Sequence, residues 1–305
     1  MCPVIRVAES ADIPAIVELQ ALVWQDHFFR ERNTQVPMMR RTAVNMGYYL
    51  GKEPEGCFLA TENGKVVGSI ISHVWGSVGW FGPLEVDPRF QDKGIGKSLV
   101  MRSVEYLRSR SCKTVGCETM AGSYRNLAFY HKLGFRSRAL SHVMFRNMNP
   151  RQSEITFPPG VRPLGGDIAA CRNLWDKILP GLDYSNEFSC LEAYGLGSAY
   201  ATGPENSPGH AIVHTHEMFE ESGNAVLKLL VAEDIGQAQV LLDACEATAV
   251  LAGKSGVFIR SYDATPPAVT WFYTRGYRQQ GVSVRLILDG GDESGTINHV
   301  SCWSG

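Results

Sequence analysis

At 305 residues the chain exceeds the usual size of a single hydrophobic core, so two domains are the default expectation. Lys and Arg (29) balance Asp and Glu (31) to a formal charge of -2, which leaves no broad basic field for nucleic acid. Eight scattered cysteines make no C-x-x-C pair and no zinc-type Cys/His spacing, and no apolar run approaches ~18 residues. With no basic-then-apolar leader either, the expectation is a cytoplasmic protein with reduced thiols, no metal and no membrane segment.

The elements follow in order. Residues 4–7 read as a short strand, after which Ser10 or Asp12 caps a helix with Ile13, Ile16, Val17 and Leu19 on its apolar side. Residues 57–61 and 66–71 read as a hairpin around a turn at Glu62-Asn63-Gly64-Lys65, and 80–86 as the next strand. A helix from 96 to about 110 carries Leu99, Val100, Val104 and Leu107 on one side, and 115–120 is the following strand.

Between the strand at 80–86 and that helix lies a glycine turn, Gln91-Asp92-Lys93-Gly94-Ile95-Gly96-Lys97-Ser98. N–H groups at a helix start lack intrahelical partners and sit at the positive end of the helix dipole, so this turn suits a phosphate. A Walker A loop is excluded because Gln91 stands at its first glycine, and a dinucleotide fingerprint because Leu99 stands at its third. What the turn matches is Q-x-x-G-x-G, preceded by Leu84-Glu85-Val86-Asp87-Pro88 and followed by Phe129-Tyr130-His131-Lys132-Leu133-Gly134-Phe135. In these motifs, their order and spacing, the first 150 residues or so resemble the GNAT superfamily of acyl-CoA-dependent N-acyltransferases.

That resemblance implies an α/β (α+β) fold, a mostly antiparallel mixed sheet flanked by helices, with fourth and fifth strands splayed at the acyl-CoA site. It implies that backbone groups of Leu84, Glu85 and Val86 pair with the pantetheine arm. Gln91 and the N–H groups of Lys93, Gly94, Ile95, Gly96, Lys97 and Ser98 would hold the diphosphate of acetyl-CoA. Tyr130 would protonate the departing thiolate. Where the family commonly has Asn, this chain has Ser123, and Asn126 one turn before Tyr130 stands as its replacement. For the base, Glu85 ranks ahead of Glu118; strand alternation sets Glu85 opposite Leu84 and Val86, which favours a polar or open surface. His73 reads as structural. Trp24, His27, Phe28, Phe29, Trp75, Trp80 and Phe81 fall where the family builds its acceptor pocket, although most read as core.

The second half echoes the first. Tyr200-Ala201-Thr202 through His214 overlays Leu59-Ala60-Thr61 through His73, followed by a strand at 227–231, a helix at 237–251, a strand at 256–260 and Trp271-Phe272-Tyr273-Thr274-Arg275-Gly276-Tyr277. The expectation is a tandem of GNAT-like domains, 1–150 catalytic and 151–305 degenerate and non-catalytic, with the boundary in 147–160. Phe272 replaces the phenol, and Ala232-Glu233-Asp234-Ile235-Gly236 is too short and too acidic for the glycine loop. His214 and His216 would share one strand face, weak grounds for a metal. The reading is an acetyltransferase acting on a small-molecule or peptide amine, as monomer or homodimer; the alternatives are a non-catalytic acyl-CoA sensor and a transferase of another acyl group or acceptor.

Overall fold

The computed structural model describes residues 3–33, 40–148, 155–165, 168–293 and 295–303. The expected boundary at 150/151 lies outside the described residues. The first half runs β1 (Val4–Val7), α1 (Ile13–Arg32), α2 (Ala43–Lys52), β2 (Phe58–Glu62), β3 (Lys65–Trp75), β4 (Val78–Val86), α3 (Ile95–Ser109), β5 (Thr114–Met120), α4 (Tyr124–Lys132) and β6 (Arg136–Asn147). The second runs β7 (Arg162–Pro163), α5 (Arg172–Ile178), α6 (Ser185–Ala193), β8 (Gly197–Thr202), β9 (Gly209–His214), β10 (Asn224–Ala232), α7 (Ile235–Leu251), β11 (Gly256–Tyr262), α8 (Val269–Thr274), β12 (Arg278–Asp289) and β13 (Asn298–Ser301). The expected strands, helices and hairpin are present; α2, between the first helix and the hairpin, has no counterpart in the sequence reading. β9 stops at His214, so His216 lies beyond the strand with Nδ1 against the Glu217 carbonyl, and the expected strand-face pair does not form.

All strands join one sheet in the order β1-β2-β3-β4-β5-β12-β6-β11-β10-β9-β8-β7, with β13 attached to β10. The order reveals an exchange. β12 of the second half pairs antiparallel with β5 of the first (Ser283 opposite Met120 to Asp289 opposite Val115), while β6 of the first pairs with β11 of the second. Each half therefore completes the sheet of the other, and β6 and β12 pair with each other between them.

Three apolar clusters cover the sheet. α3 packs over the first half and α7 over the second, each with its own buried set. The third is common property: Met46, Tyr49 and Leu50 of α2 share a core with Leu174 and Trp175 of α5, Leu191 of α6, and Trp75, Trp80 and Trp303. Inside this joint core Glu187 accepts hydrogen bonds from Tyr48 Oη (2.6 Å), Trp75 Nε1 (2.7 Å) and Lys52 Nζ. Its two nearest ammonium groups, Lys228 and Lys52, outweigh the cost of burial and hold its carboxyl well below the usual range. Such a group, donated by one half and satisfied by the other, ties the halves in one register.

Because exchanged strands and a common core leave neither half with a complete sheet, the described chain should unfold in one cooperative step. Denaturation followed by a probe in each half checks this: coincident midpoints are expected, and two separated midpoints would contradict the interlocked arrangement.

Candidate active site

The site begins where β4 and β5 part. They pair in parallel only from Val78 opposite Thr114 to Phe81 opposite Cys117. Beyond that point β4 stays with β3 (Leu84 opposite Ile70, Val86 opposite Gly68) and β5 stays with β12, so a wedge opens between Leu84–Val86 and Glu118–Met120. The Asp87 N–H donates to the Val67 carbonyl (2.9 Å). Hydrogen-bonding direction alternates along a strand, so Glu85 likewise spends its backbone on β3, while Leu84 and Val86 turn theirs into the wedge. This corrects the expectation of three wedge-facing residues to two.

At the mouth of the wedge, Asp87 Oδ1 accepts from the Arg89 N–H (2.9 Å) and the chain turns through Asp92 (φ 61°) and Gly94 (φ 82°) into α3. Gly94 is required by that left-handed backbone. Gly96 is not: a Cβ there would sit 3.5 Å from Phe129, an ordinary contact, so the protein itself leaves room for a side chain. Ser98 N–H already donates to the Gly94 carbonyl (3.0 Å), closing the first turn. The helix-start donors left over are those of Ile95, Gly96 and Lys97. Ser98 is thus removed from the expected anion set, and Lys93 too lies off the cavity, its ammonium 4.8 Å from the centre of the Phe90 ring.

Gln91 takes a different place from the one its motif suggested. Its Nε2 donates to the Val86 carbonyl (3.0 Å) and its Oε1 accepts from Arg125 (2.9 Å), so the side chain braces the loop. Arg125, which the sequence reading passed over, also reaches Asp92 (2.9 Å) and so clamps α4 to the turn. A lone arginine on the open side of a helix carries no sequence signal. Ser123 is fully buried at the start of α4 and does not line the cavity, whereas Asn126 does.

A cavity of about 1580 Å³ fills the wedge and extends behind it. Its walls include Trp24 and His27 of α1, Leu84, Glu85 and Val86 of β4, Gly94 to Lys97, and Asn126, Phe129 and Tyr130 of α4. The second half closes the far side with Met218 to Ser222 and Phe258 to Arg260. The segment after β9 is anchored there by Thr42 N–H to the Met218 carbonyl (3.0 Å) and Glu220 N–H to the Arg40 carbonyl (2.9 Å). Of the seven aromatics expected mostly in the core, Trp75, Trp80 and Phe81 are buried and Phe29 is exposed; Trp24, His27 and Phe81 line the cavity.

Glu85 and Tyr130 meet in this cavity. Glu85 is only 2 % exposed, which corrects the expected open surface: β4 alternation chose the face correctly, but α1 and the second half cover it. One carboxylate oxygen accepts from Ser69 Oγ (2.8 Å) and the other is buried without a partner. Burial pushes its pKa up to about 7, against the opposing pull of Ser69, the Arg41 guanidinium and the neighbouring Gln20 amide. Tyr130 is packed among Phe81, Phe129 and Phe135 (ring centres 6.1, 5.0 and 5.7 Å away), and among the described residues its hydroxyl has no hydrogen-bond partner. Burial, with smaller contributions from Cys117 and Glu85, raises its pKa well above the usual 10, so the phenol keeps its proton at neutral pH.

The other candidates are committed elsewhere. Glu118 accepts from Arg285 Nε (2.9 Å) and Arg260 Nη1 (3.3 Å), both from the second half, so it is an ion-pair anchor for the exchanged strands. His73 Nε2 lies 2.7 Å from the Gly82 carbonyl, its ring stacks on Trp75, and burial lowers its pKa well below 6.5, leaving it neutral. No group of three or more metal-ligating side chains occurs among the described residues.

The second half has the same wedge, filled. β10 and β11 pair in parallel only from Asn224 opposite Gly256 to Val226 opposite Phe258, after which β13 runs antiparallel along β10 from Leu229 opposite Ser301 to Ala232 opposite Asn298. At the start of α7, Asp234 accepts from the Gln237 N–H (2.8 Å), putting a carboxylate where α3 presents free donors. Phe272 packs edge-on against Tyr277 (5.8 Å) as Tyr130 packs on Phe135.

Comparison with known proteins agrees with this geometry. Residues 16–135 match the model of the Acetyltransferase (GNAT) family and constitute a domain of that family. N-alpha-acetyltransferase MAK3 of Arabidopsis thaliana is 30% identical over 116 residues, which are 36% of this chain and 61% of that protein. The chain thus spans less than two thirds of that relative. Along its whole length the fold is that of a Pyrococcus horikoshii protein (TM-score 0.72, 18% identity, 100% and 96% of the two chains). It is also that of a tandem GNAT protein from the clavulanic acid biosynthesis pathway (TM-score 0.61, 15% identity, 95% and 99%). No helix among the described residues is long and apolar enough to cross a membrane.

The environment of Glu85 has a consequence for stability. Its folded pKa is raised from 4.5 to about 7, so ionisation opposes folding, beginning as pH rises through the unfolded value and reaching its full extent above the folded one. Glu85→Gln should therefore gain stability over the parent between about pH 4.5 and 7, by roughly 1–3 kcal/mol at pH 8. Urea midpoints at pH 4 and pH 8 check it; an equal difference at both would show that Glu85 is not a desolvated carboxyl.

Proposed function

We propose that this chain moves an acetyl group from acetyl-CoA to a primary amine of a small molecule or peptide, with one active site, in the 1–150 half. What carries the reading is the wedge that β4 and β5 leave open, with helix-start donors at its mouth and Glu85 and Tyr130 in its wall. The donor fits that space. Leu84 and Val86 supply strand-like hydrogen bonds to the pantetheine amides, and Ile95, Gly96 and Lys97 supply N–H groups to the diphosphate, where the absent Cβ of Gly96 leaves the approach clear.

The acceptor nitrogen attacks the thioester carbonyl, forming the C–N bond and pushing the carbonyl electrons onto oxygen. The nucleophile is the neutral amine, formed when the alkylammonium (pKa near ~10.4) gives one proton to water, and its remaining N–H becomes far more acidic once the nitrogen is bonded to the carbonyl carbon. Glu85, ionised above about pH 7 and with one oxygen unpartnered, takes that proton. Collapse breaks the C–S bond, and the thiolate takes the proton that burial has kept on Tyr130. The amide and free CoA leave, Glu85 loses its proton to water, and the phenol regains one.

The 151–305 half reads as a structural partner: β13 lies in its wedge, Asp234 caps its helix, and Phe272 has no proton to give. Its contributions to the site are the wall over Glu85 and the arginines that hold Glu118.

Release of free thiol from acetyl-CoA with a panel of amines tests the reading. Tyr130→Phe and Glu85→Gln should each lower kcat by about 10²- to 10⁴-fold while retaining acetyl-CoA binding, and Glu85→Gln should abolish a rising pH–rate limb near 7. Binding without turnover by the parent, or unchanged kcat in Tyr130→Phe, would reject the mechanism.

A further inference from the structure

The charges around the cavity are sorted by end. Where the diphosphate is placed, Lys97, Arg125 and Lys132 line the cavity against the single carboxylate of Asp92. Behind Glu85 the balance reverses. There, Arg30 is held by Asp26 (2.9 Å) and Arg260 by Glu118 (3.3 Å), while the buried Arg41 donates to Asn45 (2.9 Å) and Tyr49 (3.2 Å), so three guanidinium groups stand among five carboxylates, Asp26, Glu85, Glu118, Glu220 and Glu221. Glu220 and Glu221, on the second-half segment that closes this end, are exposed and have no cation within ion-pair distance among the described residues. Deeper in, Glu85 adds a carboxylate oxygen that is buried and unpartnered. The ring of Trp24 also lines this cavity, a surface that tolerates a cation better than an anion.

We infer that the acceptor is an amine carrying a second positive charge, a diamine or a lysine-like peptide end, whose attacking nitrogen meets Glu85 while its distal cation lies against Glu220 and Glu221. The inference rests on the acetyltransferase reading and narrows it to a substrate class. It also gives the second half a role in selecting the acceptor, since both distal carboxylates come from that half. An acceptor with a distal carboxylate meets like charge at the same place.

Three amines of matched length separate the cases: 1,4-diaminobutane, n-pentylamine and 5-aminovalerate, each measured as kcat/KM for thiol release from acetyl-CoA by the full chain. The expected order is dication over neutral over anion, about tenfold from first to last at low salt and shrinking as salt is raised. The double substitution Glu220→Gln and Glu221→Gln should draw the three values together. Turnover with no charge preference, or a preference that survives the double substitution, overturns this inference and leaves the transfer reading standing. Absence of thiol release with all three and with the wider amine panel overturns the transfer reading and this inference with it.

Discussion

A β-strand pulled away from its neighbour leaves a row of N–H and C=O groups that must find partners, and this molecule does so twice. β4 leaves β5 after Phe81, and β10 leaves β11 after Val226. Backbone polar groups shut away from water without a partner cost too much to persist, so each wedge must be filled by the chain, by a bound molecule or by water. In the second half the chain supplies its own, β13, hydrogen-bonded along β10. In the first half no strand of the described residues enters: Leu84 and the Val86 N–H face a cavity, and the Val86 carbonyl accepts from Gln91 (3.0 Å). Two copies of one architecture thus differ in whether the occupant of the wedge is covalent or comes from solution.

The sheet can tolerate two such breaks because it is closed in the middle by exchange. β12 gives β5 a full antiparallel partner on the side away from the wedge, and β6 does the same for β11. The ion pairs of Glu118 with Arg285 and Arg260 sit on that seam, next to the cavity wall. Buried pairs of this kind add little net stability, but each charge left alone would be costly, so they favour one register of the exchanged strands. The geometry around Glu85 and Tyr130 is therefore a property of the whole chain.

Much of this was legible in the sequence, and the reasons are local. Glycine turns, apolar periodicity and a phenol at the end of a short helix are carried by neighbouring residues, so α3, the Gly94 turn and Tyr130 could be read directly. The echo between the halves was legible for the same reason. Strand exchange was not, because β5 and β12 are separated by most of the second half and nothing in either strand names its partner. The burial of Glu85 was hidden similarly: alternation fixes the face of a strand residue, and only tertiary packing decides what covers it. Ser98 and Gln91 show the converse limit, since a motif marks a position without saying whether its donors remain free once the turn has closed. β13 is four residues long and follows no periodic pattern, so the filled second wedge had no signature at all.

The account depends on one wedge being open to acetyl-CoA and the other being closed by the chain itself. Amide hydrogen exchange of the full chain, with and without saturating acetyl-CoA, measures both at once. Protection is predicted at Leu84, Val86, Ile95, Gly96 and Lys97, with none gained at 232–236 or along β10. Protection at the start of α7, or none around Gly94, would contradict it.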